Sequence, residues 1–330
     1  MTTPTTASSS VQETSPTGAA TPELSDLDRA RVEFRQEILD AGLLVDAGEP
    51  GLYARSGEFE DVLDAVVATI RATMADLAPR RLRFAPVFPR SEFERTDYIA
   101  SFPHLTGAIH SFTGTDRDHA KLLAARAAGD EWDSYLVPAE TMLVSAVCHP
   151  LYERLAGTSI RDGGQVFDIL GYSFRHEPSL DPMRLQAFRM QEFVFVGTPA
   201  EARDFRNTHS AAQLALLEAL ELDVTRVPAN DPFFGRAGRM LARTQLDDEL
   251  KLEITVPIYG DLDTEGTAIA SGNSHGDHFG APFEITTADG ETAHSACIAW
   301  GLERIVLALH RTHGLDSTTW PAGVRARLGL

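Results

Sequence analysis

The chain has 330 residues, of which 43% are apolar and 23% charged, and 29 basic against 48 acidic side chains leave a net charge of −19. This is the composition of a globular protein with a sizeable core, and no apolar run approaches the roughly 18 residues that a membrane span requires. The acidic balance argues against binding nucleic-acid backbones, which need clustered Lys and Arg. The two cysteines, Cys148 and Cys297, exclude a disulfide framework and favour the cytoplasm as the compartment.

Residues 1–25 are rich in Thr, Ser, Pro and Ala and contain almost no large apolar side chains. Such a segment cannot bury enough surface to offset the entropy of ordering, so we predict a disordered tail. It also lacks the apolar stretch of a signal peptide and the arginines of a transit peptide. Residues 26–330 are predicted to form one folded domain.

The predicted elements mix helices and strands along the whole domain. Ser25 and the acids after it predict a helix start, because apolar residues follow at helical spacing. Further helices are predicted at about 58–77, 199–220 and 299–313. The strand-like segments are LRFAPVFP, VFDILGYSFRHE, FRMQEFVFVG, LKLEITVPIYG and APFEITTADG. Because strands and helices do not alternate strictly, we predict an α+β fold around an antiparallel sheet.

Two strand-like pieces joined by a polar loop form the most informative segment, FRHEPSLDPMRLQAFRMQEF. Alternation places Arg175 and Glu177 on one face of their strand. An arginine beside an acid and an aromatic ring suits a nucleotide, because the guanidinium binds phosphate and the carboxylate accepts a hydrogen bond from an exocyclic amine. By itself the motif also fits a salt-bridged hairpin, which is the commoner structure.

The second informative segment is CIAWGLERIVLAL, which has the pattern of an amphipathic helix. Leu302, Ile305, Val306 and Leu309 form its apolar stripe. Arg304 lies off this stripe in the first turn, where it can face a cleft.

Together, FRHE, the following arginines, FRMQEF and GLER resemble motifs two and three of class II aminoacyl-tRNA synthetases, nearest the seryl branch. The chain also resembles a narrower family over about residues 51–314, the amino acid:[carrier protein] ligases, which are truncated homologues of seryl-tRNA synthetases. Further segments that carry the resemblance are GLYARSGEFEDVLDAV, SFPHLTGAIHSF, ANDPFFGRAGR, LKLE, HGDHFG and AHSACIAWGLERIVLALHRTHG.

This resemblance implies a class II synthetase-like antiparallel sheet flanked by helices, with residues 26–330 as the catalytic domain. It implies that a small amino acid, glycine or alanine, is activated with ATP to the aminoacyl-adenylate. The family then transfers the amino acid to the phosphopantetheine thiol of an acyl carrier protein instead of to tRNA.

The match to class II enzymes also implies roles for single residues. Arg175 is expected to hold the α-phosphate and the substrate carboxylate and to form the catalytic pair with Arg304. Glu177 is expected to recognise the adenine amine, and Phe193 to stack on the base. The other expected nucleotide contacts are Arg184, Leu185, Arg189 and Arg304, with Glu253 and Ser271 on the side of ATP and its magnesium. The magnesium-binding glutamate of seryl synthetases falls here on Ala268.

The family holds one zinc ion per chain through two cysteines and a glutamate, and the matching positions are Cys148, Glu192 and Cys297. Three protein ligands leave a fourth position open, which can bind the α-amine of the substrate. Cys148, Glu192, Arg175 and Asn273 form the implied amino-acid site. Outside such a match, lone cysteines are usually small buried hydrophobes. The nearby His149, His275, His278 and His294 are expected to be structural.

The sequence departs from the family at two places near the pocket. The runs Ser145–His149 and Ser271–His275 lack aromatic residues that the family has there. We therefore expect an enlarged or more polar pocket.

Two rival interpretations remain at this level. A seryl-tRNA synthetase would need a long basic arm, and a non-catalytic paralogue would bind a nucleotide or a partner protein without turnover. We expect a homodimer formed through residues 87–109, although these apolar runs also suit the core of one chain. The arginines considered for carrier docking are Arg203, Arg206, Arg236 and Arg239.

Overall fold

The computed structural model describes residues 24–231, 234 and 250–330. The helices of this part are α1 Asp26–Asp40, α2 Gly57–Thr73, α3 Arg90–Arg95, α4 Tyr98–Ser101, α5 Asp116–Ala128, α6 His149–Leu155, α7 Pro199–Ala219, α8 Leu302–His313 and α9 Ala322–Leu328. The strands are β1 Leu44–Asp46, β2 Tyr53–Arg55, β3 Arg80–Leu82, β4 Val87–Pro89, β5 Ala108–Ser111, β6 Val137–Leu143, β7 Gln165–Phe174, β8 Ala187–Gly197, β9 Thr225–Pro228, β10 Lys251–Val256, β11 Thr267–Gly276 and β12 His294–Gly301.

The central sheet has seven strands in the order β3-β7-β8-β12-β11-β10-β9. All neighbouring strands in it are antiparallel except β3 and β7, which run parallel. A smaller sheet has the order β4-β6-β5, and β1 pairs with β2. The architecture confirms the predicted α+β fold around an antiparallel sheet.

Helices cover one face of the central sheet. Helix α7 packs on β11 and β12, α8 packs on β8, and α2 packs on α8. Large apolar side chains fill the space between these layers, among them Phe59, Phe193, Ile298 and Trp300. Because side chains alternate between the two faces of a strand, the intervening residues of β8 and β12 point to the opposite face. Polar groups available for chemistry therefore lie on that opposite face.

Local signals account for the helix boundaries. Ser25 begins α1 as predicted, since its side chain accepts a hydrogen bond from the backbone N–H of Asp28. Helix α8 starts at Leu302, three residues later than predicted, because residues 299–301 complete β12. Among the described residues, no helix has both the length and the apolar character to cross a membrane.

One predicted strand is wrong. The segment APFEITTADG, residues 281–290, forms turns and isolated bridges at Thr286. Glu284 adopts a φ of 54°, which interrupts an extended backbone. Of the predicted tail at residues 1–25, all but Leu24 and Ser25 lies outside the described residues.

Candidate active site

A strip of polar side chains crosses the face of the central sheet opposite the helices. Cys297 of β12 lies opposite Asn273 of β11 in the strand register. Ser271 of β11 lies opposite Glu253 of β10. Residues directly opposite each other on neighbouring strands share a face, and so do residues two apart on one strand. The register therefore brings these four predicted site residues onto the same surface as Glu192 of β8.

Three arginines gather at one end of this strip. Arg175 follows β7 directly, and its Nε donates to the backbone oxygen of Ser145 over 3.2 Å. Arg304 lies in the first turn of α8, where Nε donates to the Met183 oxygen over 2.7 Å and Nη1 donates to the Ala268 oxygen over 2.9 Å. Arg184 Nη1 lies 3.8 Å from Glu177 Oε1.

The charged groups around Arg304 affect its pKa. Burial, followed by the positive charges of Arg184 and Arg175, lowers the pKa of Arg304 to about 10. Glu177 and Glu253 act in the opposite direction. A concentration of guanidinium groups in a chain of net charge −19 creates a local positive field, which suits a polyphosphate. Arg175, Glu177, Arg184 and Glu253 thus all act on Arg304, and their roles in binding a nucleotide stay predictions.

The predicted stacking role of Phe193 is wrong. Phe193 is 1% exposed and lies in the core beneath the helices. Phe193 follows Glu192 directly in β8. Neighbouring residues of a strand point to opposite faces of the sheet, so Phe193 points away from the face that carries Glu192. Phe188 belongs to the same core cluster and is 9% exposed, but it has the same parity as Glu192. Its ring centre lies 5.6 Å from the guanidinium carbon of Arg175. Phe188 is therefore the aromatic side chain beside the predicted phosphate-binding arginine.

The phosphate-binding role predicted for Arg189 is also wrong. Arg189 points to the helix side, where its Nε donates to Glu303 Oε1 over 2.9 Å and its Nη2 donates to Glu60 Oε1 over 2.8 Å. Burial alone lowers the pKa of Arg189, but the hydrogen bonds to Glu60 and the charge of Glu303 raise it on balance. The Arg189 guanidinium is thus already paired with two carboxylates. The Leu185 side chain is unavailable as well, since it is 2% exposed within the same core.

The three predicted zinc ligands interact with one another at the Cys297 end of the strip. Burial raises the pKa of all three groups, and the charge of Glu192 raises the pKa of both thiols further. Asn273 Nδ2 lies 3.3 Å from Cys297 Sγ. In the part of the chain that the structure describes, no group of three or more His, Cys, Asp or Glu side chains has the arrangement of a metal site.

The chemistry of these groups nevertheless suits a metal ion. All three side chains are nearly inaccessible, with exposures of 4% for Cys148, 1% for Glu192 and 3% for Cys297. Glu192 Oε2 is buried without a hydrogen-bond partner. Buried thiols with one orphaned carboxylate oxygen form the sulfur and oxygen donor set that zinc accepts.

Aromatic and histidine side chains surround this cluster. Tyr152 stacks on Phe279 with ring centres 3.9 Å apart. His275 Nδ1 lies 3.0 Å from Ser295 Oγ and 3.2 Å from the Tyr152 hydroxyl. His278 Nε2 lies 3.2 Å from the Thr96 backbone oxygen. These histidines thus have hydrogen-bond partners in the wall of the site.

The expected enlargement of the pocket at Ser271–His275 fails at Gly272. A Cβ atom built on Gly272 would lie 3.3 Å from Cβ of Ser210 in α7 and 3.3 Å from Cδ1 of Ile298. Gly272 therefore faces the helix layer, away from Cys297, and a missing ring there cannot widen the pocket.

Sequence reasoning missed Lys251. This lysine is 8% exposed and lies opposite Asn273, on the face that carries the polar strip. Its Nζ lies 2.5 Å from Asp231 Oδ1 and 2.8 Å from Glu253 Oε1. One signal was present in the sequence, since Lys251 is one of only two lysines among the 29 basic residues.

Known proteins match both the sequence and the fold. No protein-family model matches the chain. An "Amino acid--[acyl-carrier-protein] ligase 1" of Bradyrhizobium diazoefficiens is 38% identical over 284 residues, which cover 86% of each chain. A second ligase of that name and organism, numbered 2, is 38% identical over 289 residues, covering 87% of this chain and 86% of its own. A type-2 serine–tRNA ligase of Methanopyrus kandleri is 28% identical over 198 residues, covering 57% of this chain and 37% of the relative.

Solved structures extend the comparison to the fold. The seryl-tRNA synthetase of M. kandleri, solved with a tRNASec of A. aeolicus, matches 89% of this chain and 60% of its own with a TM-score of 0.76 and 20% identity. A cytoplasmic serine–tRNA ligase of Naegleria fowleri, solved with AMP, matches 90% of this chain and 59% of its own with a TM-score of 0.67 and 12% identity. Such low identities show the fold alone, which is that of class II aminoacyl-tRNA synthetases. The 38% identity over most of both chains shows that this protein belongs to the family of amino acid--[acyl-carrier-protein] ligases.

Proposed function

We propose that this protein activates a small amino acid, glycine or alanine, with ATP and transfers it to the phosphopantetheine thiol of an acyl carrier protein. The observation that carries the proposal is the placement of three arginines about one hairpin. Arg304 Nε donates to the oxygen of Met183, beside Arg184, and Arg175 N donates to the oxygen of Gln186. The names of the two Bradyrhizobium relatives support the acceptor.

Activation requires a carboxylate oxygen of the amino acid to attack the α-phosphorus of ATP while pyrophosphate leaves. The protein needs no nucleophile for this step, so catalysis consists of positioning and charge stabilisation. Arg175 stands between the thiol cluster and the other arginines, and it would hold the carboxylate against the α-phosphate. Arg184 and Arg304 would bind the departing phosphates. Glu177 would accept a hydrogen bond from the adenine amine, beside the ring of Phe188.

The magnesium that accompanies ATP is part of the substrate in this proposal. Glu253 and Ser271 face each other across β10 and β11 and would contact its side of the nucleotide. Ala268, where seryl synthetases have an acid, lies beside Arg304 and offers only its backbone oxygen. The Ala268 side chain therefore supplies no carboxylate to the magnesium.

Cys148, Glu192 and Cys297 would hold one zinc ion per chain. Bound there, zinc would supply an open coordination position for the α-amine of the substrate. Asn273 would orient the Cys297 sulfur through its amide. The size of the amino acid would then be limited by the wall formed by Tyr152 and Phe279.

Transfer is proposed to be direct, without an acyl-enzyme. The thiolate of the carrier arm would attack the carbonyl of the adenylate, and AMP would leave with the bonding electrons. The chain has only two thiols, Cys148 and Cys297, and both are nearly inaccessible. Burial raises the pKa of each, which further disfavours either as an acyl acceptor.

Docking of the carrier requires a local surface, because the chain has a net charge of −19. Arg206, one of the arginines considered for this role, is 7% exposed and is unsuited to it. Arg203 is exposed on α7. Arg236 and Arg239 lie outside the described residues.

We also propose a homodimer formed through residues 87–109. Most large apolar side chains of this region are buried in a separate core cluster of the chain itself, which contains Phe88, Phe93, Tyr98 and Leu105. Ile99, in contrast, is 45% exposed. Sedimentation tests the proposal, since a single species near 36 kDa at micromolar concentration would contradict it.

Amino-acid-dependent exchange of pyrophosphate into ATP tests the activation step. We expect exchange with glycine or alanine and its loss in Arg175→Ala. Arg203→Ala, an exposed site on the helix side, serves as the matched control and should retain exchange. A purified, folded protein that binds ATP but shows no exchange with any of the twenty amino acids would support the non-catalytic alternative.

A further inference from the structure

Lysine is almost absent from this chain. Of 29 basic residues only Lys121 and Lys251 are lysines, and the other basic positions are arginines. Lys121 lies on the exposed helix α5, where its ammonium pairs with Asp118. Lys251 is the contrast, because its side chain is only 10% exposed. Lysines are seldom buried unless they are paired, so the partners of Lys251 explain its placement.

Two carboxylates from different segments hold the Lys251 ammonium. Nζ lies 2.5 Å from Asp231 Oδ1 and 2.8 Å from Glu253 Oε1. The backbone oxygen of Lys251 also accepts a hydrogen bond of 3.0 Å from Ala229 N, so the segment before Asp231 is fixed to β10. Burial lowers the pKa of Lys251, but the two carboxylates raise it on balance, so the group stays an ammonium at neutral pH.

The two acids act on different halves of the site. Glu253 lies opposite Ser271, on the side proposed for ATP and its magnesium. Lys251, which holds Asp231, lies opposite Asn273, whose Nδ2 is 3.3 Å from Cys297 Sγ at the end with the thiols. Lys251 therefore lies between the proposed nucleotide and amino-acid positions, on the β10 side of the strip.

Without Lys251, this edge of the site would carry two uncompensated negative charges next to the place proposed for a triphosphate. Like charges at such distances in a partly buried site change affinity by about an order of magnitude. An ammonium is a compact point charge, and here it contacts both carboxylates at once.

We propose that Lys251 is a positioning residue for ATP binding, whose ammonium compensates Asp231 and Glu253 and fixes both at the edge of the site. The inference rests on the proposed function, since it takes the arginine cluster as the triphosphate position. With Lys251 the group of three carries a charge of −1, and without it the charge becomes −2. Removal of one carboxylate then restores −1, which makes the charge balance testable apart from the shape of the side chain.

Calorimetric titration of the intact protein with magnesium and ATP provides the readout, because it requires no turnover. We expect Lys251→Met to weaken ATP binding roughly tenfold, with a smaller loss at high salt. The double variant Lys251→Met with Asp231→Asn should return to within about threefold of the wild type. Lys121→Met, the matched control at the other lysine, should bind ATP like the wild type.

Unchanged ATP affinity in Lys251→Met would overturn the inference. So would a double variant that is folded, judged by its melting temperature, yet binds ATP as weakly as the single variant. If Lys251→Met does not fold, the single variant Asp231→Asn tests the inference. This variant should bind ATP at least as tightly as the wild type, and weaker binding would overturn the inference. If the wild type catalyses no pyrophosphate exchange while the ATP affinities of the variants change as expected, the proposed function is contradicted. The inference about Lys251 still holds in that case.

Discussion

The guanidinium carbon of Arg175 lies 5.6 Å from the centre of the Phe188 ring. These residues come from the two strands of one hairpin, since Arg175 N donates to the backbone oxygen of Gln186 over 2.9 Å. The hairpin thus presents a cation and an aromatic ring on one surface. Such a pair suits the α-phosphate and the base of one nucleotide.

Phe188→Ala should raise the KM for ATP roughly fivefold or more, because stacking of a base on an aromatic ring contributes about 1–3 kcal/mol. The KM for the amino acid should stay within about twofold of the wild type. Phe193→Ala is the matched comparison five residues along the same strand. It should lower the free energy of unfolding by about 3–5 kcal/mol, with little change in the KM for ATP of the folded protein. If Phe193→Ala instead raises the KM for ATP, and Phe188→Ala lowers only the free energy of unfolding, then Phe193 is the stacking residue.

Arg189→Met should destabilise the fold. Glu303 is fully buried, and Arg189 and Arg55 neutralise its carboxylate at 2.9 and 3.1 Å. Removing one partner of a buried pair typically costs about 3–5 kcal/mol, which denaturant unfolding measures directly. A variant of normal stability whose KM for ATP rises tenfold would instead indicate a phosphate contact.

Metal analysis should find one zinc per chain in wild-type protein prepared without chelators. Cys148→Ser and Cys297→Ser should each lose the metal and the binding of the amino acid, while calorimetry still detects binding of ATP. Val147→Ala, beside the first ligand in the same buried cluster, should keep its zinc. Wild-type protein without zinc would contradict the proposed ligand set.

The stability of the protein should depend on the protonation of Glu92. Burial, followed by a hydrogen bond with Glu153, raises the pKa of Glu92 to about 7, while Arg95 opposes the shift. The folded state therefore binds this proton more tightly than the unfolded state does. Below its unfolded pKa near 4.5, Glu92 therefore does not lower the free energy of unfolding. As the pH rises from there through about 7, ionisation of Glu92 lowers this free energy progressively.

Glu92→Gln removes this titration and keeps a hydrogen-bonding group towards Glu153. The melting temperature of the variant should equal that of the wild type near pH 4.5 and exceed it increasingly up to pH 8. A constant difference across the range would exclude Glu92 as the responsible group.

The sequence predicts the fold and much of the site because the relevant signals are local. Helical spacing locates α1, α2 and α7, and the motif segments locate Arg175, Glu177 and Arg304. Strand parity was also available, since Glu192 and Phe193 are neighbours in one strand and cannot both face the same pocket.

Other features depend on contacts between distant segments. Arg189 is tied to Glu303 and Glu60, which lie more than a hundred residues away, so its motif position alone cannot reveal that its guanidinium is occupied. Gly272 faces Ser210 of α7, a packing relation that no local pattern encodes. The pairing of Lys251 with Asp231 likewise requires the fold.

The acceptor is the central claim, and a transfer assay tests it most directly. The protein is incubated with ATP and labelled glycine or alanine, together with a carrier protein that bears the phosphopantetheine arm, the same carrier without the arm, or total tRNA. We predict acid-stable label only on the carrier that bears the phosphopantetheine arm. Hydroxylamine should release this label, as expected for a thioester. Label on tRNA and none on the armed carrier would contradict the account.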